Sequence, residues 1–284
     1  MNKIDFINKT NILWLFFIII TGLHIVDIIN KVLGGSSIYF FEILKIYLPI
    51  ILLFFHSSWT LTYSRGFFLI LLAALTSFVF EVIGINYGTF FGADYVYQGQ
   101  NFSFILFNVP LFVPLYWAVF IYIGYSISNS FLNWIGKSRP TKDKNDFIIL
   151  PLLIIFDGLL VTAIDIFMEP ILVKFGVWTW LSKGQYFGVP FVNFIGWFTV
   201  AIITTGIFRV FEYFIPRSIY KISDSVMLIP VLYYGILCLS FLSDAATLKM
   251  YNLMLVGFFA MIPVVVINLI LFFSRKNFKS EQII

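Results

Sequence analysis

Charged residues make up only 11% of this 284-residue chain, less than half of the roughly 25% usual in a soluble domain. At that density a water-facing surface cannot be covered, which excludes an ordinary soluble protein. The single cysteine, Cys238, sits in the apolar run Leu232 to Leu242. It excludes an internal disulfide framework and a cysteine-based metal cluster. The two histidines, His24 and His56, stand far apart without metal-ligand spacing and read as ordinary helix or interface residues. No GxGxxG, P-loop or HExxH element is found, and the Gly-Xaa-Ser/Thr occurrences lack the strand-turn-helix setting of a serine hydrolase. No cofactor and no metal are therefore expected. The net charge of +4 reflects loop lysines and arginines and carries no argument for a nucleic-acid partner.

What the chain does contain is hydrocarbon: 61% hydrophobic residues and a mean hydropathy of +0.97. A span needs about 20 mostly apolar residues. Eight segments qualify: Asn11–Ile29, Tyr39–Phe55, Phe67–Ile85, Val109–Ser128, Phe147–Met168, Phe191–Phe211, Val226–Leu242 and Tyr251–Phe273. The expected fold class is an all-α polytopic transmembrane bundle of about eight spans, one integral membrane domain over residues 1–284. The basic loop 129–146 divides it into halves 1–128 and 147–284. The second span is the weakest, because Glu42, Lys45 and Pro49 interrupt it; Glu42 and Lys45 are spaced to pair at i+3. The first apolar run is too long for a cleavable signal and lacks a small-residue cleavage site.

With the N-terminus inside, thirteen Lys/Arg residues fall on inner segments, against Lys31, Lys174, Lys183 and Lys249 outside. This positive-inside asymmetry predicts a multi-pass protein of the cell membrane with both termini cytoplasmic. The two outer connections, Asn86–Asn108 and Glu169–Pro190, are crowded with aromatics and glycine. Non-helical backbone at membrane depth is tolerated only where protein buries it or a cavity borders it. Both segments are therefore expected to be re-entrant or lid-like. The plain alternative is an interfacial belt of Trp and Tyr, which needs neither glycine turns nor acids.

Carboxylates in such a sequence are costly, roughly 2.5–3.5 kcal/mol each at a helix centre, and so mark candidate sites. Glu81 lies near the end of the third span. Asp157, Asp165 and Glu169 lie along the fifth. Asp165 and Glu169 are four apart and share one helix face, with Asp157 two turns away near the same face. Pro170 is expected to end that helix and leave Glu169 at its rim. Like charges this close in low dielectric cannot all ionise, and a carboxyl kept neutral is what a general acid needs. Asp157 has an equally good structural reading as a bond to a neighbouring helix, Glu81 as the partner of a polar group on another span, and Asp94 as a turn-former. Aromatic faces attract a developing carbocation, and 20% of the residues are Phe, Trp or Tyr. Acids, an aromatic wall and no cofactor motif together suggest proton-initiated chemistry on an apolar alkene.

Two ordered motif blocks stand out. The first is Glu81-Val-Ile-Gly84 running into Tyr87-Gly-Thr-Phe-Phe-Gly92-Ala-Asp94-Tyr95-Val-Tyr97, then Asn108-Val-Pro-Leu-Phe-Val-Pro114-Leu-Tyr-Trp117. The second is Asp165-Ile-Phe-Met-Glu169-Pro170, Trp178-Thr-Trp180 and Gly184-Gln-Tyr186-Phe-Gly-Val-Pro190-Phe-Val-Asn193-Phe-Ile-Gly-Trp197. Together, over roughly residues 70–210, they resemble the membrane carotenoid biosynthesis protein family, of the bisanhydrobacterioruberin hydratase and γ-carotene 1′-hydratase type. One departure is Glu169-Pro170, where Asp-Pro is expected. The resemblance implies addition of water across the terminal C1–C2 double bond of an acyclic carotenoid. Asp165 or Glu169 would protonate C2, with Trp178, Trp180 or Tyr186 against the tertiary cation. Glu81 or the partner acid would deprotonate the water, and Asn193 would place it. Tyr95, Trp117 and Trp197 join as substrate-binding candidates, Asp94 and Asp157 as further ones. The implied partners are an apolar carotenoid entering from the bilayer, water, membrane lipid and other enzymes of the pathway. Other isoprenoid-modifying enzymes, a proton-coupled transporter and a non-catalytic pigment binder are the competing readings; the two halves lack the internal repeat of a transporter.

Overall fold

The computed structural model describes residues 3–35, 39–88, 90–98, 104–137, 139–142, 147–216 and 223–281. Among them, eight helices are long and apolar enough to cross a membrane: α1 (Lys3–Val32), α2 (Tyr39–Thr60), α3 (Tyr63–Tyr87), α4 (Phe112–Trp134), α5 (Ile149–Lys174), α6 (Phe191–Phe214), α7 (Leu228–Thr247) and α8 (Tyr251–Glu281). The protein is a multi-pass membrane protein. Helices dominate because a lipid-exposed backbone must satisfy its own polar groups. Of the basic residues that set the expected orientation, Lys144, Arg217 and Lys221 lie outside the described residues.

α4 is the axis of the bundle. It touches α2, α3, α5, α6, α7 and α8, and 83% of its spanning window is buried, against 22% for α8. A helix wrapped by protein need not be lipid-like, so α4 is the least hydropathic of the eight. This corrects the expectation that the second span is the weakest: α2 runs unbroken through Pro49 for 22 residues. Lys45 is not left bare in it, since its Nζ meets Glu42 at 2.7 Å and Asp27 of α1 at 2.6 Å. Both histidines take ordinary interhelical bonds, His24 to Ser240 and His56 to Tyr122.

A second correction concerns Pro170. α5 does not stop there but continues to Lys174 with the proline inside it. A break at that depth would expose several backbone groups, whereas the proline removes only one donor. Beyond the C-cap Phe175, Gly176 turns the chain with a left-handed φ of 72°; Val177 N–H then closes on the Leu172 carbonyl at 3.0 Å.

The two aromatic connections meet as a lid, and the sequence reading missed its form. Strand β1 (Tyr95–Tyr97), two residues each of β2 (Ile105–Leu106) and β3 (Val109–Pro110), and β4 (Trp178–Trp180) make two small antiparallel ribbons. β1 pairs with β4 in the register Tyr95↔Trp180, Val96↔Thr179, Tyr97↔Trp178. Val109 and Pro110, expected in the fourth span, belong to the hairpin that precedes α4.

Candidate active site

Alternation along a strand sends every second side chain to one face. In the β1–β4 ribbon, that face carries Tyr95, Tyr97, Trp178 and Trp180, while Val96 and Thr179 point outward and are exposed. Beneath the ribbon are the carboxyls of α3 and α5. Tyr95 Oη donates to Glu81 Oε2 at 2.5 Å and Tyr97 Oη to the same oxygen at 2.9 Å. Trp178 Nε1 and Trp180 Nε1 both donate to Glu169 Oε1, at 2.7 and 2.9 Å. One turn earlier on α5, Asp165 Oδ2 accepts from Asn193 Nδ2 of α6 at 3.1 Å. Accessibility is 2% for Glu81, 0% for Asp165 and 3% for Glu169.

No salt bridge to these three carboxyls exists among the described residues; their hydrogen-bond donors are two phenols, two indoles and one amide. Burial, then the charge of Glu81, holds the Tyr95 and Tyr97 phenols well above their ordinary range, so both remain donors at any working pH. Support is uneven among the acids. Two donors converge on one oxygen of Glu81 and two on one oxygen of Glu169, an arrangement that favours an anion. Asp165 has one amide donor, and its Oδ1 lacks a partner among the described residues. Tyr186 Oη is likewise buried without one. That phenol is pushed up to about 12, by burial first and then by the charge of Asp165.

Glu81, Tyr95, Tyr97, Trp117, Glu169, Trp178, Trp180, Asn193 and Trp197 line one cavity of about 20 Å³, enough for a single water. Its remaining wall is an indole stack: Trp117 and Trp197 have ring centroids 3.3 Å apart and an interplanar angle of 11°. Phe91 continues the stack on Trp197 at 5.1 Å.

The structure thus brings Glu81, Glu169, Asn193, Trp178, Trp180, Trp197, Tyr95 and Trp117 to one cavity. Asp165 stands behind Asn193, and Tyr186 is half-buried within reach of its charge. The other two candidates lie elsewhere. Asp157 is bound to Arg209 of α6, Nε to Oδ2 at 2.5 Å and Nη2 to Oδ1 at 2.8 Å, with Ser128 beside it. Asp94 is exposed, and its carbonyl accepts from Leu181 N–H at 2.8 Å.

A family model described as carotenoid biosynthesis protein matches residues 41–266, most of the chain and all of this cavity. The chain belongs to that family. No curated protein and no solved structure matches it. Its role is in carotenoid biosynthesis, and its spanning helices suit an apolar carotenoid and surrounding lipid.

Tyr97 was missed as a site residue, although it donates to Glu81 as Tyr95 does. The signal was present: Tyr-Val-Tyr and Trp-Thr-Trp both alternate large and small side chains with strand period.

Proposed function

We propose that the chain is a carotenoid hydratase that adds water across the terminal C1–C2 double bond of an acyclic carotenoid end. The observation carrying this reading is a set of three buried carboxyls with unequal donor support and no salt bridge among the described residues, Glu81 and Glu169 lining a water-sized cavity and Asp165 behind Asn193. In this mechanism Asp165, the least supported as an anion, is the neutral acid and transfers its proton to C2. The π pair forms the new C–H bond and leaves a tertiary cation at C1. The Trp117–Trp197 stack and the ribbon indoles hold that cation against their π faces. Water in the small cavity bonds to C1 through its oxygen, and Glu81 or Glu169 takes the proton released. Return of that proton to Asp165 completes the cycle, so one water is consumed and no oxidant or reductant is needed.

The cavity has no room for a carotenoid end, so the ribbon has to yield before substrate meets the acids. An apolar substrate then arrives from the bilayer, and the site lies at the outer end with both termini cytoplasmic, by the Lys/Arg asymmetry.

The test is expression in a bacterium that accumulates lycopene, followed by chromatography and mass spectrometry of the pigments. A more polar carotenoid heavier by one water, absent with Asp165→Asn, is the expected result. Unchanged pigment from lycopene, γ-carotene and a C50 precursor, with folded protein in the membrane, sinks the hydratase reading in favour of another isoprenoid reaction or transport.

A further inference from the structure

Twelve residues along α4 from Trp117, about 18 Å at ~1.5 Å per residue, Asn129 borders a much larger cavity. It measures about 440 Å³ and opens at the end of the bundle opposite the ribbon, between α2, the end of α4, the turn before α7 and the end of α8. Its wall is polar. Lys137, Arg139 and Arg275 supply three cations, Asp224 one anion, and His56, Ser126 and Asn129 neutral groups. Behind the wall, Arg139 Nη1 is fixed by Tyr125 Oη at 3.0 Å and Glu212 Oε1 at 2.9 Å. Arg209 is fixed by Asp157, and Arg65 lies 3.9 Å from Glu212. Among the described residues, these five arginines and lysines stand against Asp157, Glu212 and Asp224, and positive charge is in surplus.

Asn129 adds a directional argument. It is 4% accessible, and its Oδ1 accepts from Arg209 Nη1 at 3.2 Å. A guanidinium only donates, so the carbonyl side of the amide must face Arg209. The NH₂ side is therefore turned away, and Nδ2 has no partner among the described residues. A buried donor left so is costly, and Asn129 is among the residues that line this cavity.

We propose that this cavity binds a phosphate-class anion, supplied by the headgroup of an acidic phospholipid. Arginines in the wall suit a multi-oxygen anion, and the volume falls in the range of small-ligand sites. The membrane source follows from position: the cavity lies where the helices end and would meet lipid headgroups, on the side where basic residues concentrate and anionic lipid is enriched. The inference does not depend on the chemistry assigned to the carboxyl cluster.

The test is native mass spectrometry of the full-length protein in detergent. Phosphatidylglycerol and phosphatidylcholine of identical chains are offered in competition, with inorganic phosphate and glycerol 3-phosphate as separate arms. Preferential retention of phosphatidylglycerol is expected, reduced about tenfold in the Lys137→Gln, Arg275→Gln double variant. Asn129→Asp keeps the shape and the Arg209 contact but adds an anion to the cavity lining, and it should lower retention as well. Thermal unfolding of each variant verifies its fold. Equal retention of both lipids, or a preference unchanged in both folded variants, overturns the proposal. Binding of inorganic phosphate or glycerol 3-phosphate without lipid preference overturns the lipid as its source.

Discussion

Tyr95 and Trp180 are partners across the β1–β4 ribbon, yet they serve different helices: Tyr95 donates to Glu81 of α3 and Trp180 to Glu169 of α5. One ribbon register therefore sets the hydrogen bonding of two carboxyls far apart in sequence. The bonds are to groups able to carry charge, a class worth about 1.5–3 kcal/mol each. Trp180→Phe keeps the packing and one donor on Glu169, and should lower turnover about tenfold. Trp178→Phe with Trp180→Phe leaves that oxygen bare and should cost about a hundredfold or more, since ~1.4 kcal/mol is a factor of ten. Product formation per folded protein in membranes measures both; a double variant no worse than the single one removes Glu169 from the mechanism.

Asp165 and Asp157 make a matched pair of tests on one helix. Asp165→Asn removes the proposed acid without changing shape, and loss of a general acid costs about 10² to 10⁴ in rate. Thermal unfolding should barely move, because Asn193 still faces an oxygen. Full turnover from folded Asp165→Asn protein would refute the acid assignment.

Asp157→Asn should show the reverse pattern. It leaves Arg209, 2% accessible, without its anion, and breaking a buried pair costs about 3–5 kcal/mol. A large fall in thermal stability is expected, with turnover per folded molecule nearly unchanged. Replacing both partners by apolar residues, Asp157→Leu with Arg209→Met, should recover much of the loss. Failure to recover would mean that Ser128 and Asn129 need the guanidinium.

The spans were legible because every helix had to hide its own backbone in about 20 apolar residues, a pattern that survives in a single sequence. The cluster of Glu81, Asp165 and Glu169 was legible for the same reason, since ionisable groups stand out against hydrocarbon. What the sequence did not reveal was pairing. Tyr95–Tyr97 and Trp178–Trp180 are three-residue strands, too short to separate from an aromatic belt until their register is seen. Asp157 was ambiguous because its partner, Arg209, is 52 residues away, near the end of the sixth span, and nothing in the sequence ties the two together. Pro170 misled because its local rule, which ends helices in water, yields in a membrane to the cost of exposed backbone.

Gly84 offers the sharpest test of how closely lid and helix must approach. It lies one turn after Glu81 on α3, and a Cβ there would stand 2.9 Å from the Tyr95 hydroxyl and overlap the Phe91 ring. Tyr95 holds Glu81, and Phe91 holds Trp197 in the cavity wall, so one methyl disturbs the acid and the aromatic stack together. Overpacking of this kind costs about 1–3 kcal/mol. Gly84→Ala should therefore lower the unfolding temperature and reduce turnover by tenfold or more. Adding Phe91→Leu makes room for the methyl and should restore stability, but not turnover, because the ring that braces Trp197 is gone. If Gly84→Ala alone keeps both stability and turnover, the close seating of the ribbon end on α3 is not required for the reaction.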